Sequence, residues 1–365
     1  MNMRIKTLRL KNFRNYAEAE ISFADGVTVL SGANAQGKTN CAEAIFFLCT
    51  GYSPRVTREK QLVRLGEESG YTEGTAESLY GPVKVHIDLF RNDKKAIFIN
   101  EMPVPRIGEL FGNIHSVFFN PGELKLVQES PEDRRRFMNL ALSQMSKQYF
   151  YALQKYNKIL FQRNNLLKSG RSDLRETLSV WDEQLSVYAA KIIARRNELL
   201  EKLSPLAEEA HAFISSGKEA LKLSAESGYR GGEEDIREAF LKDLHRAAEK
   251  DLRLGFTTVG PHRDDMKIFL NGEDVRLYGS QGQQRTVALS LKLAETEIFR
   301  DRFGEYPILI LDDVLSELDK SRRRKLMAKV GGIQTILTCT SVESAVLKGF
   351  EYSKITVKNG VLKGL

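Results

Sequence analysis

Basic and apolar residues alternate through "RIKTLRLKNF" near the start of the chain, and a period of two predicts a half-buried strand. "GVTVLSG" is a short apolar run closed by glycine and reads as a buried strand. "NCAEAIFFLCTG" follows as a helix stopped by Gly51. Across 71–119 the pieces "KVHIDLF", "AIFIN" and "SVFF" are strand-like, with turn signals between them. From about Pro131 the period changes. Leu153, Tyr156, Ile159 or Leu160, Arg163 and Leu167 fall at helical spacing, and a polar break, "SGRSD", occupies 169–173. Leu178, Trp181, Leu185, Tyr188, Ile192 and Leu199 then fit a heptad seam interrupted by Arg195. Two long helices joined by a short turn predict an antiparallel hairpin. Its second helix, about 176–203, would be roughly 40 Å long at 1.5 Å per residue. The same seam fits helix packing inside a helical domain at least as well as a projecting arm.

Strand patterns return after Gly255 in "MKIFLNGEDVRLYG", "YPILILDD", "QTILTCT" and "KITVKNGVL". The expected organisation is one α/β domain built from 1–130 and 255–365, interrupted by a helical insertion, a short arm or lid, at 131–254. No internal repeat is visible.

The chemistry lies at the junctions of these elements. Gly32-Ala33-Asn34-Ala35-Gln36-Gly37-Lys38-Thr39 fits G-x-x-x-x-G-K-[ST] and stands after a strand and before a helix, as a phosphate cradle requires. Glycines let backbone N–H groups curl around phosphate oxygens, and the helix N-terminus adds a favourable dipole. Lys38 is expected to neutralise the β and γ phosphates, and the Thr39 hydroxyl to ligate Mg²⁺. "ILILDDVLSELD" supplies a buried strand that opens onto Asp312 and Asp313. Two carboxylates there are costly unless a cation or a reaction uses them. Asp312 is expected to hold the Mg²⁺ through water, and Asp313 to orient the attacking water.

A third stretch, "GSQGQQRT" at 279–286, combines flexible backbone with uncharged hydrogen-bonding groups. One cradle already holds phosphates within the chain, so a second neutral clamp makes sense facing the nucleotide of another copy. Ser280-Gln281-Gly282-Gln283 resembles the S-x-G-Q signature of ABC-type ATPases, in which two heads enclose two ATP molecules. Ser280, Gly282 and Gln283 are therefore read as nucleotide contacts made across a dimer, with Lys38, Asp313 and Ser280 carrying hydrolysis. Ser316-Glu317-Leu318-Asp319 stands where such heads place a dimer-crossing loop.

Composition adds bounds rather than detail. A chain of 365 residues with 42% hydrophobic content can bury a core without disulfides or structural metal. Cys41, Cys49 and Cys339 are odd in number and form no C-x-x-C pair, which argues against both a disulfide framework and a zinc site. They read as small buried apolar residues. No hydrophobic leader is visible and the longest apolar runs are too short to span a bilayer, so a cytoplasmic protein is expected. The net charge of +7 suits a polyanionic partner without identifying one. Arg134-Arg135-Arg136 and Arg322-Arg323-Arg324-Lys325 read as solvated helix faces or phosphate contacts. Lys6 and Arg14 share one parity of the first strand and Arg9 and Lys11 the other, so they are not expected to face one groove together. His262, in "GPHRDD", has no base-and-nucleophile partner and reads as structural or interfacial.

"LRLKNFRNY" resembles the opening of SMC-like DNA-repair ATPases. "TTVGPHRDDM", "YGSQGQQRTVALSLKLAE" and "LILDDVLSELDKSRRRKL" are similar to the RecF family, and the resemblance runs nearly end to end. It implies an α/β fold, an ABC-type P-loop ATPase head of the SMC-like kind with an inserted α-helical domain. It further implies an ATP-dependent homodimer that binds DNA at single-strand gaps, helps load RecA with RecO and RecR, is required for SOS induction and hydrolyses ATP slowly in a DNA-dependent way. "NFR" suggests Arg14 lies near the nucleotide. Some positions depart from the pattern. Gly122, Glu129 and Asn139 replace usual family residues. Asn120-Pro121 stands where SMC-like heads carry a Mg²⁺-reaching glutamine, Thr338-Cys339-Thr340 stands where transporters carry a switch histidine, and Asp313 is one methylene shorter than the usual glutamate. The alternative reading, a nucleotide-binding subunit of a membrane transporter, conflicts with the long helical insertion and the absent histidine.

Overall fold

The computed structural model describes residues 2–169, 174–341 and 351–364. The chain divides into two compact units, one of residues 1–124, 209–219 and 285–365, the other of 125–208 and 220–284.

The first unit holds two six-stranded sheets. One is antiparallel and contains β1 (Arg4–Phe13), β2 (Tyr16–Ser22), β4 (Ser69–Ser78), β5 (Gly81–Phe90), β6 (Ala96–Ile99) and β7 (Met102–Val104), in the order β2-β1-β4-β5-β6-β7. The other joins β3 (Val27–Ser31), β8 (Ser116–Phe119), β12 (Ile308–Asp312), β13 (Thr335–Cys339), β14 (Tyr352–Lys358) and β15 (Val361–Gly364) in the order β15-β14-β3-β13-β12-β8. Its pairings are parallel except for the β14–β15 hairpin. β3, β8 and β12 are buried throughout, which is why they read as unbroken apolar runs rather than alternating ones. Helix α1 (Lys38–Thr50) packs on strands of both sheets and is buried almost all round. It ends at Gly51, whose left-handed backbone (φ 68°) lets its N–H return to Phe47 O.

In β1 the expected parity fails for a local reason. The register shifts between Ile5 and Thr7, a β-bulge that moves the buried set from Ile5 to Leu8 and Leu10. Lys6, Arg9 and Lys11 thereby come to one solvent-facing side. Two of the three are not free cations: Lys6 pairs with Asp25 and Glu77, and Arg9 with Glu20 and Glu73.

The second unit carries α2 (Lys125–Gln128), α3 (Pro131–Met145), α4 (Lys147–Leu167), α6 (Glu233–Leu254) and α7 (Val275–Tyr278), with a three-stranded sheet of β9 (Leu221–Ala225), β10 (Met266–Leu270) and β11 (Glu273–Asp274). Two helices run through the boundary, α5 (Leu174–Ser215) and α8 (Gln281–Phe303), and α9 (Lys320–Lys329) lies in the first unit. The unit boundaries differ from the sequence expectation because β10 pairs with β9. That pairing draws 255–284 in with the helices, while 209–219 packs with the first unit.

α4 and α5 are the two helices that the spacing predicts, although most of the turn between them, 170–173, lies outside the described residues. α5 does not stop near 203. It continues through Pro205, with Leu203, Ala207, Ala210 and Ile214 buried in helical register. Leu178, Leu185, Ile192 and Leu199 of the seam are buried too. Arg163, on an apolar helical face by spacing, is fully buried because its charge is answered. Nε donates to Asp182 (2.6 Å) and Nη1 to Asp251 and Thr257 (both 2.8 Å). Cys41 and Cys49 are buried free thiols whose pKa values burial pushes up to about 12, which makes them inert.

His115, just before β8, is a buried group with one titratable consequence. Its ring stacks on Phe303 at 4.0 Å between centroids, and its Nδ1 has no hydrogen-bonding partner among the described residues. Burial pulls its pKa down to about 4. An unfolded chain takes up this proton near pH 6.5. The stability that His115 contributes is therefore complete above about pH 6.5 and is lost as the pH falls toward 4. His115→Phe should reduce the stability lost between about pH 7.5 and pH 5, by up to about 1.4 kcal/mol per pH unit. Urea midpoints of both proteins at the two pH values measure this, and equal losses would refute it.

Candidate functional site

Parallel pairing decides where the chemistry gathers. β3, β13 and β12 run the same way, with Ser31 opposite Cys339 and Asp312 opposite Thr338. The Gly32–Gly37 loop after β3 and the aspartates ending β12 therefore emerge at one carboxyl edge, where open α/β sheets bind ligands.

The loop is tight. A Cβ on Gly32 would lie 2.3 Å from Val357 O, so no larger residue fits without a backbone shift. Ala35 (φ 63°) and Gly37 (φ 120°) take positive backbone angles that fold the loop back toward α1. Neighbours hold its outer side: Asn15 Nδ2 and the Gly360 N–H donate to Gln36 O (both 3.0 Å), Asn359 N–H donates to Gln36 Oε1 (2.7 Å), and Tyr16 O–H donates to Gly37 O (2.9 Å). Lys38 is buried, and its ammonium donates to Gly32 O (2.7 Å) and Ala33 O (2.8 Å). The first internal bond of α1 runs from Cys41 N–H to Gly37 O, and no side chain caps the helix. That leaves the leading N–H groups of α1 aimed out of its positive end, a ready anion site.

Asp312 is 4% exposed at the end of β12. Its Oδ1 accepts from Thr39 Oγ1 (2.9 Å) and from Thr338 Oγ1 (2.7 Å). Burial raises its pKa, and the two hydroxyls and the nearby Arg55 charge oppose that rise. Asp313 follows in a left-handed conformation (φ 55°), its N–H bonded to Thr338 Oγ1 (3.0 Å) and its carbonyl to Ser316 Oγ (2.8 Å).

A charged network beside the loop escaped the sequence reading. Glu43, one turn beyond Thr39 on α1, is fully buried. It accepts from Arg14 Nε (2.9 Å) and Nη2 (2.8 Å) and from Ser53 Oγ (2.5 Å), and Arg55 lies 3.5 Å away. Arg55 also donates to Asn40 Oδ1 (2.8 Å), and Asn40 Nδ2 to Asn15 Oδ1 (2.7 Å). Arg14 is thus placed against α1 as a partner of Glu43. The available signal was the lone acid inside "NCAEAIFFLC", since a buried charge needs a partner.

Ser280, Gly282 and Gln283 stand at the start of α8 and belong to the second unit, whereas the loop and both aspartates belong to the first. Ser280 N–H donates to Gln283 Oε1 (2.8 Å) and Gln283 N–H to Ser280 Oγ (3.3 Å), the reciprocal pair of a capping box. In the first unit, Glu317 pairs with Arg285 (3.2 Å), and Asp319 caps α9 through the Arg322 N–H (2.9 Å). Glu123 pairs with buried Lys292 (3.2 Å).

The basic runs are largely engaged internally. Arg134 forks buried Asp265 (2.6 and 2.8 Å), and Arg135 donates to Asp264 O. Arg323 donates to Leu318 O, and Lys325 to Ile214 O at the end of α5. His262 is locked neutral: Tyr156 O–H donates to Nδ1 (2.6 Å), Nε2–H faces Thr257 O (3.0 Å), and burial lowers its pKa to about 4.

The family model described as "RecF/RecN/SMC N terminal domain" matches residues 4–361. A protein of Agathobacter rectalis described as "DNA replication and repair protein RecF" is 42% identical over 97% of this chain and 96% of its own length. One of Clostridium tetani with the same description is 40% identical over 94% of each. The chain belongs to the RecF family.

Solved structures agree with that membership. "Structure of the recombination mediator protein RecF-ATP in RecFOR pathway" superposes with a TM-score of 0.91 at 36% identity, covering 100% of this chain and 98% of the other. An Smc head domain from Pyrococcus furiosus reaches a TM-score of 0.60 at 16% identity over 100% and 96%, a likeness of fold alone. The fold is thus the SMC-like, ABC-type head expected from the sequence. Among the described residues, no helix is long and apolar enough to cross a membrane.

The tight loop yields a direct test. Gly32→Ala should destabilise the protein by about 1–3 kcal/mol, the range for overpacking a site that cannot give way. Gly228→Ala, where an added Cβ meets nothing within 4 Å, should change little. Thermal midpoints of the two variants would agree only if the loop had more room than its backbone shows.

Proposed function

We propose that this chain binds ATP with Mg²⁺ in the Gly32–Thr39 loop and that ATP closes two copies into a homodimer on DNA. The observation that carries this reading is the meeting of Thr39 and Asp312 (2.9 Å) at the uncapped start of α1, beside a buried lysine. Loop N–H groups and Lys38 receive the phosphates, Lys38 exchanging its two carbonyl partners for phosphate oxygens. The donor set suits Mg²⁺: a hydroxyl and one carboxylate are hard oxygen ligands, and magnesium takes one or two carboxylates plus substrate phosphates rather than an all-protein cage. When bound, the cation neutralises charge on the β and γ phosphates.

In hydrolysis, Asp313 orients water whose oxygen bonds to the γ-phosphorus as the bond to the bridging oxygen breaks, giving ADP and phosphate. Ser280, Gly282 and Gln283 of a second copy close on the same ATP. The short Asp313 side chain supports slow turnover, and DNA stimulates it. The relatives' descriptions, naming DNA replication and repair and the RecFOR pathway, support a role in DNA repair; within it, the proposed task is to act at single-strand gaps, assisting RecA loading with RecO and RecR and so SOS induction. This is cytoplasmic work.

Two experiments test this reading. Ser280→Arg should leave ATP binding to the monomer intact while abolishing ATP-driven dimerisation and hydrolysis. Lys38→Ala should weaken nucleotide binding by about 1.5–3 kcal/mol. Mixing the two inactive variants should restore part of the ATPase, because a mixed dimer holds one composite site with neither lesion. No recovery, together with lost monomer binding in Ser280→Arg, would place the clamp within one chain. Separately, log Kd for a DNA duplex should rise steeply with log salt, the signature of phosphate contacts. A flat line removes DNA as the direct partner.

A further inference from the structure

We propose that Thr338 is a positioning residue for hydrolysis, its single hydroxyl setting both the carboxylate of Asp312 and the backbone of Asp313. The inference rests on the nucleotide-binding reading above and adds to it the group that holds the two acids in place. Thr338 ends a buried stretch of β13, directly across from Asp312 in the parallel ladder, and is 1% exposed. A hydroxyl has one proton to give. Here that proton goes to Asp312 Oδ1 (2.7 Å), while the same oxygen accepts the Asp313 N–H (3.0 Å).

Donation and acceptance are therefore both in use inside the sheet. A threonine at the sequence position of the switch histidine invites the idea that its hydroxyl senses the γ-phosphate. Its burial and its two bonds assign it a different task.

That task is visible in the backbone of Asp313. Asp313 takes φ 55°, a left-handed conformation that aspartate tolerates better than most residues with a Cβ but still at a cost. Something must hold it there, and two hydroxyls do. Thr338 grips the N–H, and Ser316 donates to the carbonyl (2.8 Å). The left-handed turn decides where the Asp313 carboxylate points as the chain leaves β12. Removing the Thr338 hydroxyl leaves the Asp313 N–H without its partner, and Asp312 Oδ1 with Thr39 alone. One substitution thus loosens the cation-side acid and the water-side acid together.

The test compares Thr338→Val, which keeps the branched shape, with Thr338→Ser, which keeps the hydroxyl. Thr335→Val is the control for a valine elsewhere on β13; among the described residues its hydroxyl serves Ile333 O alone. Thr338→Val should retain ATP affinity measured without Mg²⁺. Its single-turnover hydrolysis should fall about tenfold or more, and half-maximal Mg²⁺ for tight nucleotide binding should rise several-fold. Serine should restore both quantities to within about threefold, and Thr335→Val should match wild type. Ser316→Ala, on an exposed side chain, should slow hydrolysis without moving the Mg²⁺ dependence, which keeps the idea testable even if Thr338→Val folds poorly. Thr338→Val with wild-type rate and Mg²⁺ dependence, or serine as impaired as valine, overturns the role of Thr338 alone. Wild-type protein that binds no ATP overturns the parent reading, and this inference with it.

Discussion

Parallel pairing of β3 with β13 and of β13 with β12 is the constraint on which the site depends. Hydrogen bonds in a parallel ladder fix register as well as direction. The residues leaving each strand are thus delivered side by side, whatever their separation in sequence. The Gly32–Gly37 loop, Thr338 and Asp312 come from three distant stretches and meet because three buried apolar strands end level. The chemistry of the edge is thus a by-product of burial: Ile308–Asp312 is pulled inside by its isoleucines and leucines, and Asp312 goes in with it. A carboxylate carried that deep is tolerable only with donors ready, and Thr39 and Thr338 provide them.

The same logic governs the buried charges elsewhere. Arg163 among acids of the second unit, Arg134 on Asp265, and Glu43 between Arg14 and Arg55 are each enclosed with an opposite charge and further hydrogen bonds. None is a cation on display, although the sequence shows each as a basic or acidic letter in a pattern that permits either reading. Net charge alone overstates how many cations in this chain are available to a polyanion, since Arg4, Lys6 and Arg9 of β1 are answered by neighbouring acids.

What could be read from the sequence follows from how local each signal is. The Gly32–Thr39 loop is eight consecutive residues whose spacing carries its own geometry, and the apolar strand before Asp312 announces its burial. The seam residues Leu178, Leu185 and Ile192 are buried as their spacing implies. Signals that need a distant partner were harder to see. The β1 bulge reverses a parity argument and is specified by pairing with β4, not by any letter in "RIKTLRL". Helix α5 outruns its proline because of buried residues on its far side. The unit boundary moved for a similar reason, since Met266–Leu270 pairs with a strand more than a helix away in the chain. Glu43 was legible only as a question.

The Asn359–Gly360 turn that grips Gln36 has a consequence for how the protein is made. Its amide reaches back across 323 residues of chain. Both flanking strands of β3, β13 and β14, are likewise separated from it by nearly the whole sequence. During synthesis the antiparallel β1–β2 and β4–β5 hairpins can pair as they emerge, whereas β3 must wait with both edges bare until β13 and β14 have been made. The Gly32–Gly37 loop is translated well before the strands that fix it, and it acquires its shape late. A nascent chain therefore lacks a shaped Gly32–Gly37 loop until β13 and β14 have emerged.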